Sequence, residues 1–336
     1  MRSKAGNGIR WSALALACAG LAACGGGSSG SGGSGSGDGS FVATAVNNPT
    51  TGSEPNVDAT SVNEVLTAAL ALLAASRGIE TMGVGEFDSG DEPQDPVTED
   101  CGTGEATTEI DEGGGERTFT TTFDQCYFNS SPDFLFDGRF SQVSSTVGSA
   151  TTGSLEVGQG PTAGLFVFQN ASGLTSVQML TTGEALTFTD DAAGLDVTLS
   201  NASMVVAEGN RPSEGGTYSP QRGFGLLLGT DVALEIHSED SGANVAQDLS
   251  GTFSFRTSGL NAPCAMNRSV GVVSTTGDPI LLDVGGQVVG GTLSVVGAGG
   301  TAEVEFFPDG TVQVRPPVGI GDEFTPAEIE ALCGIY

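Results

Sequence analysis

Basic residues are nearly missing from this chain: 11 Lys plus Arg stand against 41 Asp plus Glu in 336 residues. Three of the 11, Arg2, Lys4 and Arg10, lie in the first ten positions, so the rest carries eight arginines, no lysine and a formal charge of −33. Such a surface repels phosphate backbones, which removes nucleic acid from the partners to consider, and it repels anionic lipid head groups too. Histidine occurs once, as His237, and tryptophan once, as Trp11. A zinc hydrolase uses three or so protein ligands, commonly with paired histidines, and a single His does not supply them. A Ser-His-Asp enzyme would have to use His237, yet no G-x-S-x-G elbow accompanies it. Ending a strand pattern beside Glu239 and Asp240, His237 reads as a surface residue. With three tyrosines and Trp11 the chain has little to stack on a sugar ring. A hydrolase working through two carboxylates therefore has acids in plenty and nothing else in its favour. No residue is assigned a catalytic role.

Long apolar runs are also lacking. Trp11 to Gly20 (WSALALACAG) follows the basic head and is the length of a secretory signal core, well short of the roughly 20 apolar residues that cross a bilayer. Leu21-Ala22-Ala23-Cys24 comes next, and then Gly25 to Ser40 is almost all glycine and serine. Leu21 to Cys24 resembles the lipobox of bacterial lipoprotein signal peptides at every motif position. The resemblance implies cleavage before Cys24, a diacylglyceryl thioether on its sulfur and acylation of the new amino terminus. It further implies a place in the cell envelope, and the Gly25 that follows favours the outer membrane under the sorting preference of enteric lipoproteins. Acyl chains gain about 0.8 kcal/mol per buried methylene, so such a cysteine holds a domain on a membrane without a spanning helix. The plainer alternative is an ordinary secretory signal. Against it stands the Gly/Ser tract, a flexible coil by composition, which a lipidated terminus needs as a tether. The expected organisation is a signal over 1–23, a lipidated Cys24 and tether over 24–58, and one folded domain over 59–336.

Six cysteines are present, of which Cys18 leaves with the signal and Cys24 carries lipid. The remaining Cys101, Cys126, Cys264 and Cys333 read, in an exported chain, as two disulfides with three pairings open. Setting Cys101 against Cys126 across a hairpin centres its turn between Gly113 and Gly114, where the glycines are. It also gathers Gly104, Ala106, Thr108 and Ile110 with Phe119, Thr121 and Phe123 on one face, leaving the cysteines on a polar one. Cys264 then pairs with Cys333. Calcium, which wants several carboxylate and carbonyl oxygens, is the one cofactor the acidity suggests. The densest acidic stretch, Asp88 to Asp100, has no EF-hand spacing and holds two prolines, so a solvated loop is the expectation there.

Ser61-Val-Asn-Glu64 reads as a capping box. Val62, Val65, Leu66, Ala69, Leu70 and Leu73 recur at helical spacing, with Gly78 as a stop, which predicts an amphipathic helix over about 61–77. From about 102 to 315 the pattern alternates, as in Phe119-Thr-Thr121-Thr-Phe123 and Val232-Ala-Leu234-Glu-Ile236, with turn signals such as Pro308-Asp-Gly310 between strands. Short spacings mean antiparallel neighbours. The expected class is mainly β, an antiparallel meander forming a barrel, a sandwich or a strongly curved sheet round the helix. Thr325-Pro326-Ala-Glu328 predicts a short terminal helix over about 326–333. An echo of apolar, any, glycine, any, apolar recurs at Phe136 to Phe140, Leu249 to Phe253 and Val289 to Leu293, which reads as repeated bending of strands.

Phenylalanine is abundant at 17, in runs such as Phe134-Leu-Phe136 and Leu165-Phe-Val-Phe168. Core packing is the first expectation, and a dry cavity for an acyl chain or similar ligand the second. Three functions follow: a non-enzymatic envelope lipoprotein acting as a structural or interaction module, a carrier or chaperone for an apolar ligand, and a carboxylate-pair hydrolase. The first is preferred, with the membrane engaged through Cys24 and the protein or apolar partner open.

Overall fold

The computed structural model describes residues 54–81, 97–128, 134–157, 165–169, 175–180, 185–210, 219–275, 277–283 and 287–334. Alternating apolar and polar residues there build one antiparallel sheet of eighteen strands, accompanied by two helices. The class is mainly β, as the alternation predicts. β1 (Val97–Gly113), β2 (Glu116–Phe128) and β3 (Phe134–Val147) are long neighbours. Beyond them the sheet is laid down from shorter strands set end to end. β4 (Ala150–Val157) and β5 (Leu165–Gln169) both pair with β3. β6 (Thr175–Leu180) continues from β5 to β9 (Ala202–Asn210), and β7 (Leu186–Asp190) continues from β4 to β8 (Leu195–Leu199). β10 (Ser219–Leu228) and β11 (Leu234–Asp240) extend the two files, and β12 (Asn244–Ser258) is long enough to pair with both. β13 (Asn267–Thr275) and β14 (Ile280–Asp283) repeat the arrangement between β12 and β15 (Val288–Gly297). β16 (Gly300–Phe306), β17 (Val312–Arg315) and β18 (Asp322–Phe324) complete the order. Among the described residues no ladder joins β1 to β18, so closure into a barrel is not seen.

The glycines of the sequence echo mark the places where long strands change partner. β3 pairs with β5 up to Gly138 and with β4 from Phe140. β12 leaves β11 after Ser250 and joins β10 at Phe253, while β15 leaves β14 after Gly290 and joins β13 at Leu293. Gly138, Gly251 and Gly291 hold φ of 111°, 134° and 110°, where a side chain is disfavoured. A Cβ on Gly251 would also overlap the carbonyl oxygen of Ala233. A bend that forks the sheet into two files therefore needs glycine.

The first helix, α1 (Val62–Thr81), runs through Gly78 rather than stopping there. Its middle is more enclosed than the spacing alone predicts. Val65, Leu66, Thr67, Ala68 and Ala69 are all buried in succession, and Ala71, Leu72, Leu73 and Ala75 are buried after them. Five consecutive residues point all round a helix, so α1 is enclosed over this stretch. It packs against β9, β10, β15, β16, β17 and the short 3-10 turn Ala262–Cys264, and its alanines let those strands come close. The capping box is likewise altered. The Ser61 hydroxyl accepts from the Glu64 N–H at 3.5 Å, but the Glu64 carboxylate accepts from the Asp58 N–H at 2.9 Å instead of returning to Ser61.

The β1–β2 hairpin keeps its predicted faces and shifts its register. Ala106 faces Phe123, Thr108 faces Thr121 and Ile110 faces Phe119, so the turn falls on Gly114-Gly115, one residue later than expected. Moving the turn by one residue displaces each partner by two positions, and a two-residue displacement leaves the faces unchanged. Ala106, Thr121 and Phe123 are accordingly buried while Glu105 and Glu109 are exposed. A register irregularity between Phe123 and Cys126 then turns Cys126 inward, where it is fully buried, not on the polar face assigned to it.

Candidate functional site

The second helix, α2 (Pro326–Cys333), sits where Thr325-Pro326 predicted it. Thr325 donates its N–H to the Glu328 carboxylate at 2.9 Å and accepts from the Glu328 N–H, a complete capping box, and Gly334 closes the helix at φ 79°. Cys333 is joined by a disulfide to Cys264, with 5.2 Å between Cα atoms. Asn261 reinforces the staple by donating its backbone N–H to Cys333 O and its side-chain N–H to Ala331 O at 3.0 Å. Of the other cysteines, Cys126 is disulfide-bonded. Cys101 lies on β1 with its Cα opposite Phe128, but its side chain is outside the described residues, as is all of Cys24. The two predicted disulfide positions thus differ in what supports them.

The phenylalanine runs over 134–136 and 165–168 have side chains outside the described residues. Other phenylalanines are in the core. Phe253 and Phe255 lie 5.9 Å apart between ring centroids and pack with Phe123, Phe188, Phe224 and Phe306 in one cluster that includes the α1 leucines. One polar tie runs through this cluster: Ser76 of α1 donates to Gln247 Oε1 of β12 at 2.5 Å, and Gln247 Nε2 donates to the Ser238 hydroxyl of β11 at 3.3 Å. Buried amides and hydroxyls need such partners, and this one orients α1 in its sheet.

His237 lies on the polar face of β11, with Nδ1 2.7 Å from Asp196 Oδ1 of β8. On its other side the register brings Asp248, whose carboxylate accepts from the Thr275 hydroxyl at 2.8 Å. A histidine between two carboxylates on an open strand face has an orienting acid, and no serine stands opposite it in either ladder. Among carboxyls in the described residues, Asp190 is pushed up, chiefly by burial and then by Asp191. Asp191 itself accepts from the Ala193 N–H at 2.7 Å and so forms the β7–β8 turn rather than a facing catalytic acid. Among the described residues no three His, Cys, Asp or Glu gather to hold a metal. Of the acidic stretch, Val97–Asp100 opens β1 and residues 88–96 lie outside the described residues.

The most heavily bonded polar assembly is one that the sequence did not single out. Residues 54 to 60 wedge between β13 and the β15–β16 turn, with parallel bridges from Asn56 to Ser269 and from Asp58 to Ala298. Val57 and Ala59 are completely buried there, so the folded part reaches at least to Glu54, inside the stretch read as tether. Beside this wedge Arg268 donates from Nε and Nη2 to the two Glu64 carboxylate oxygens, 3.0 Å each. The Arg268 guanidinium holds the Glu64 carboxyl below its usual range, and Glu64 raises Arg268 in return. The Asp58 carboxyl is lowered by the hydroxyl and N–H of Thr60. The only clue in the sequence is scarcity: Arg268 is one of eight arginines beyond position 10.

No family model, curated protein or solved structure matches the chain. No described helix is long and apolar enough to cross a membrane.

Proposed function

We propose that this chain is a lipoprotein of the bacterial envelope, lipid-anchored through Cys24 in the outer membrane, whose β domain is a non-enzymatic structural or interaction module. The observation that carries the choice among the three readings is the enclosure of α1. The surface that a carrier would offer to an apolar ligand is taken up by the protein's own Leu66, Leu72 and Ala69, which favours a solid module over a carrier. The hydrolase reading gains nothing from His237, which stands between Asp196 and Asp248, or from Asp190 at the end of β7 beside the turn-forming Asp191. Lipidation rests on Leu21 to Cys24 and the Gly/Ser tract behind it. The test is fractionation of cells that express the wild type and Cys24→Ser. The wild type should sediment with outer membranes and the variant should appear in the soluble fraction, whereas a variant that stays on membranes overturns the anchor. A native mass spectrum of the soluble variant should show no bound small molecule.

A further inference from the structure

The β17–β18 connection reads Pro316-Pro-Val-Gly-Ile-Gly321, six residues without a charge in a chain of 41 acids. Val318 is 72 % exposed and Ile320 is 90 % exposed, the highest value among the exposed large apolar residues. Pro316 and Pro317 restrict the backbone on one side, so the two side chains are presented on a stiffened support. Arg315 is kept off the tip by bonds back into the sheet, to Glu305 at 2.5 Å and to Gln313. The placement of this loop gives it an occupant. A Cβ on Gly300 would lie 3.2 Å from the Pro317 ring, and one on neighbouring Gly299 would lie 3.0 Å from Thr60. The apolar tip therefore borders the β15–β16 turn, whose other side holds residues 54 to 60, the first described residues after Cys24.

We propose that Val318 and Ile320 dip into the membrane surface beside the lipid anchor and fix the pose of the domain on it. This inference rests on the anchor reading. Two apolar side chains alone would bind a bilayer only weakly. Joined to an anchored terminus they act at the high effective concentration of an intramolecular contact, where weak attraction suffices. Insertion to roughly 5 to 10 Å matches the depth at which interfacial apolar groups settle. Asp322 and Glu323, both exposed next to the loop, direct it to zwitterionic rather than anionic lipid.

The mature chain has no tryptophan, since Trp11 lies in the signal, so Ile320→Trp is a single reporter at an exposed site that does not endanger folding. The lipidated variant is purified and reconstituted into phosphatidylcholine vesicles containing brominated chains. Val147→Trp, at a 79 % exposed tip of the β3–β4 hairpin, is the control. The expected result is a blue shift and loss of most emission at position 320, strongest for bromines near the headgroup end of the chain, and unchanged emission at 147. Unquenched emission at 320 on protein that floats with the vesicles overturns the loop contact and leaves the anchor intact. Equal quenching at both sites overturns it in favour of general adsorption, and a concentration-dependent blue shift without quenching overturns it in favour of a second copy as occupant. Protein that does not float at all refutes the anchor, and the loop contact with it.

Discussion

Replacing Glu64 by Gln tests whether the latch at the start of the domain contributes what its geometry indicates. The substitution keeps the shape and an acceptor for the Asp58 N–H while removing the charge that Arg268 engages through two 3.0 Å bonds. Exposed ion pairs contribute about 0 to 1 kcal/mol, whereas removing one partner of a buried pair costs about 3 to 5 kcal/mol. With side-chain exposures of 18 % for Glu64 and 30 % for Arg268, the pair falls between these limits, and a loss of about 2 kcal/mol is expected at pH 7. With a urea slope of about 3 kcal/mol/M, the unfolding midpoint should drop by roughly 0.7 M. The pH dependence has a definite sign. Glu64 is lowered from an ordinary 4.5 in the folded state, so its contribution is complete above about pH 4.5 and is lost as pH falls through the folded value. The gap between wild type and Glu64→Gln should narrow as pH falls below about 4.5. Arg268→Met should also cost less in the Gln background than in the wild type. A gap below about 0.5 kcal/mol at pH 7, or one that persists unchanged at pH 3, would refute the reasoning.

Gly251→Ala should destabilise by about 3 kcal/mol, because φ of 134° is unfavourable for a side chain and the new methyl meets the Ala233 carbonyl; Gly113→Ala, with open space around it and no positive φ, is the control, and equal urea midpoints for the two would disprove the forking role. Cys333→Ser opens a closure spanning 69 residues, for which the chain-entropy relation gives about 4 kcal/mol, and faster amide exchange in 326–333 should accompany the loss. Non-reducing peptide mapping should link Cys101 to Cys126, and a different partner for Cys126 would displace the proposed pairing.

Features set by local chemistry could be read from the sequence, and features set by distant contacts could not. Thr325-Pro326-Ala-Glu328 carries its own cap, and α2 begins at Pro326. Strand parity in β1 and β2 was legible because period 2 survives a turn displaced by one residue. The exact register was not, since three successive glycines, Gly113 to Gly115, accept the turn with little to choose between them. Cys126 was placed on the wrong face because a bulge between it and Phe123 reverses the alternation, and bulges leave no mark in polarity. The enclosure of α1 was hidden for a similar reason. Its alanines and Thr67 look neutral in a helical pattern, and only the strands packed on them make them interior. The loop at 316–321 carries no signal in chain spacing: Val318 and Ile320 stand among prolines and glycines, and only the fold sets Pro317 beside Gly300 of the β15–β16 turn.

Chain order imposes one more consequence. The wedge and α1 come first, yet their partners come last: Glu64 and Arg268 are 204 residues apart, and Asn267 meets Glu54 across 213. Closing loops of this length before the contacts repay them makes folding slow, and with Val65 to Ala69 buried all round, α1 draws its stability from the strands packed on it. The domain should accordingly fold as one unit, with α1 buried only once β15 to β17 have joined. A chain that stops after Thr275 keeps thirteen of the eighteen strands but removes β15, β16 and β17, three of the strands packed on α1. It should show no cooperative urea transition by circular dichroism and no protected amides in 62–81, whereas a smaller but cooperative transition would mean that β9 and β10 alone hold the helix.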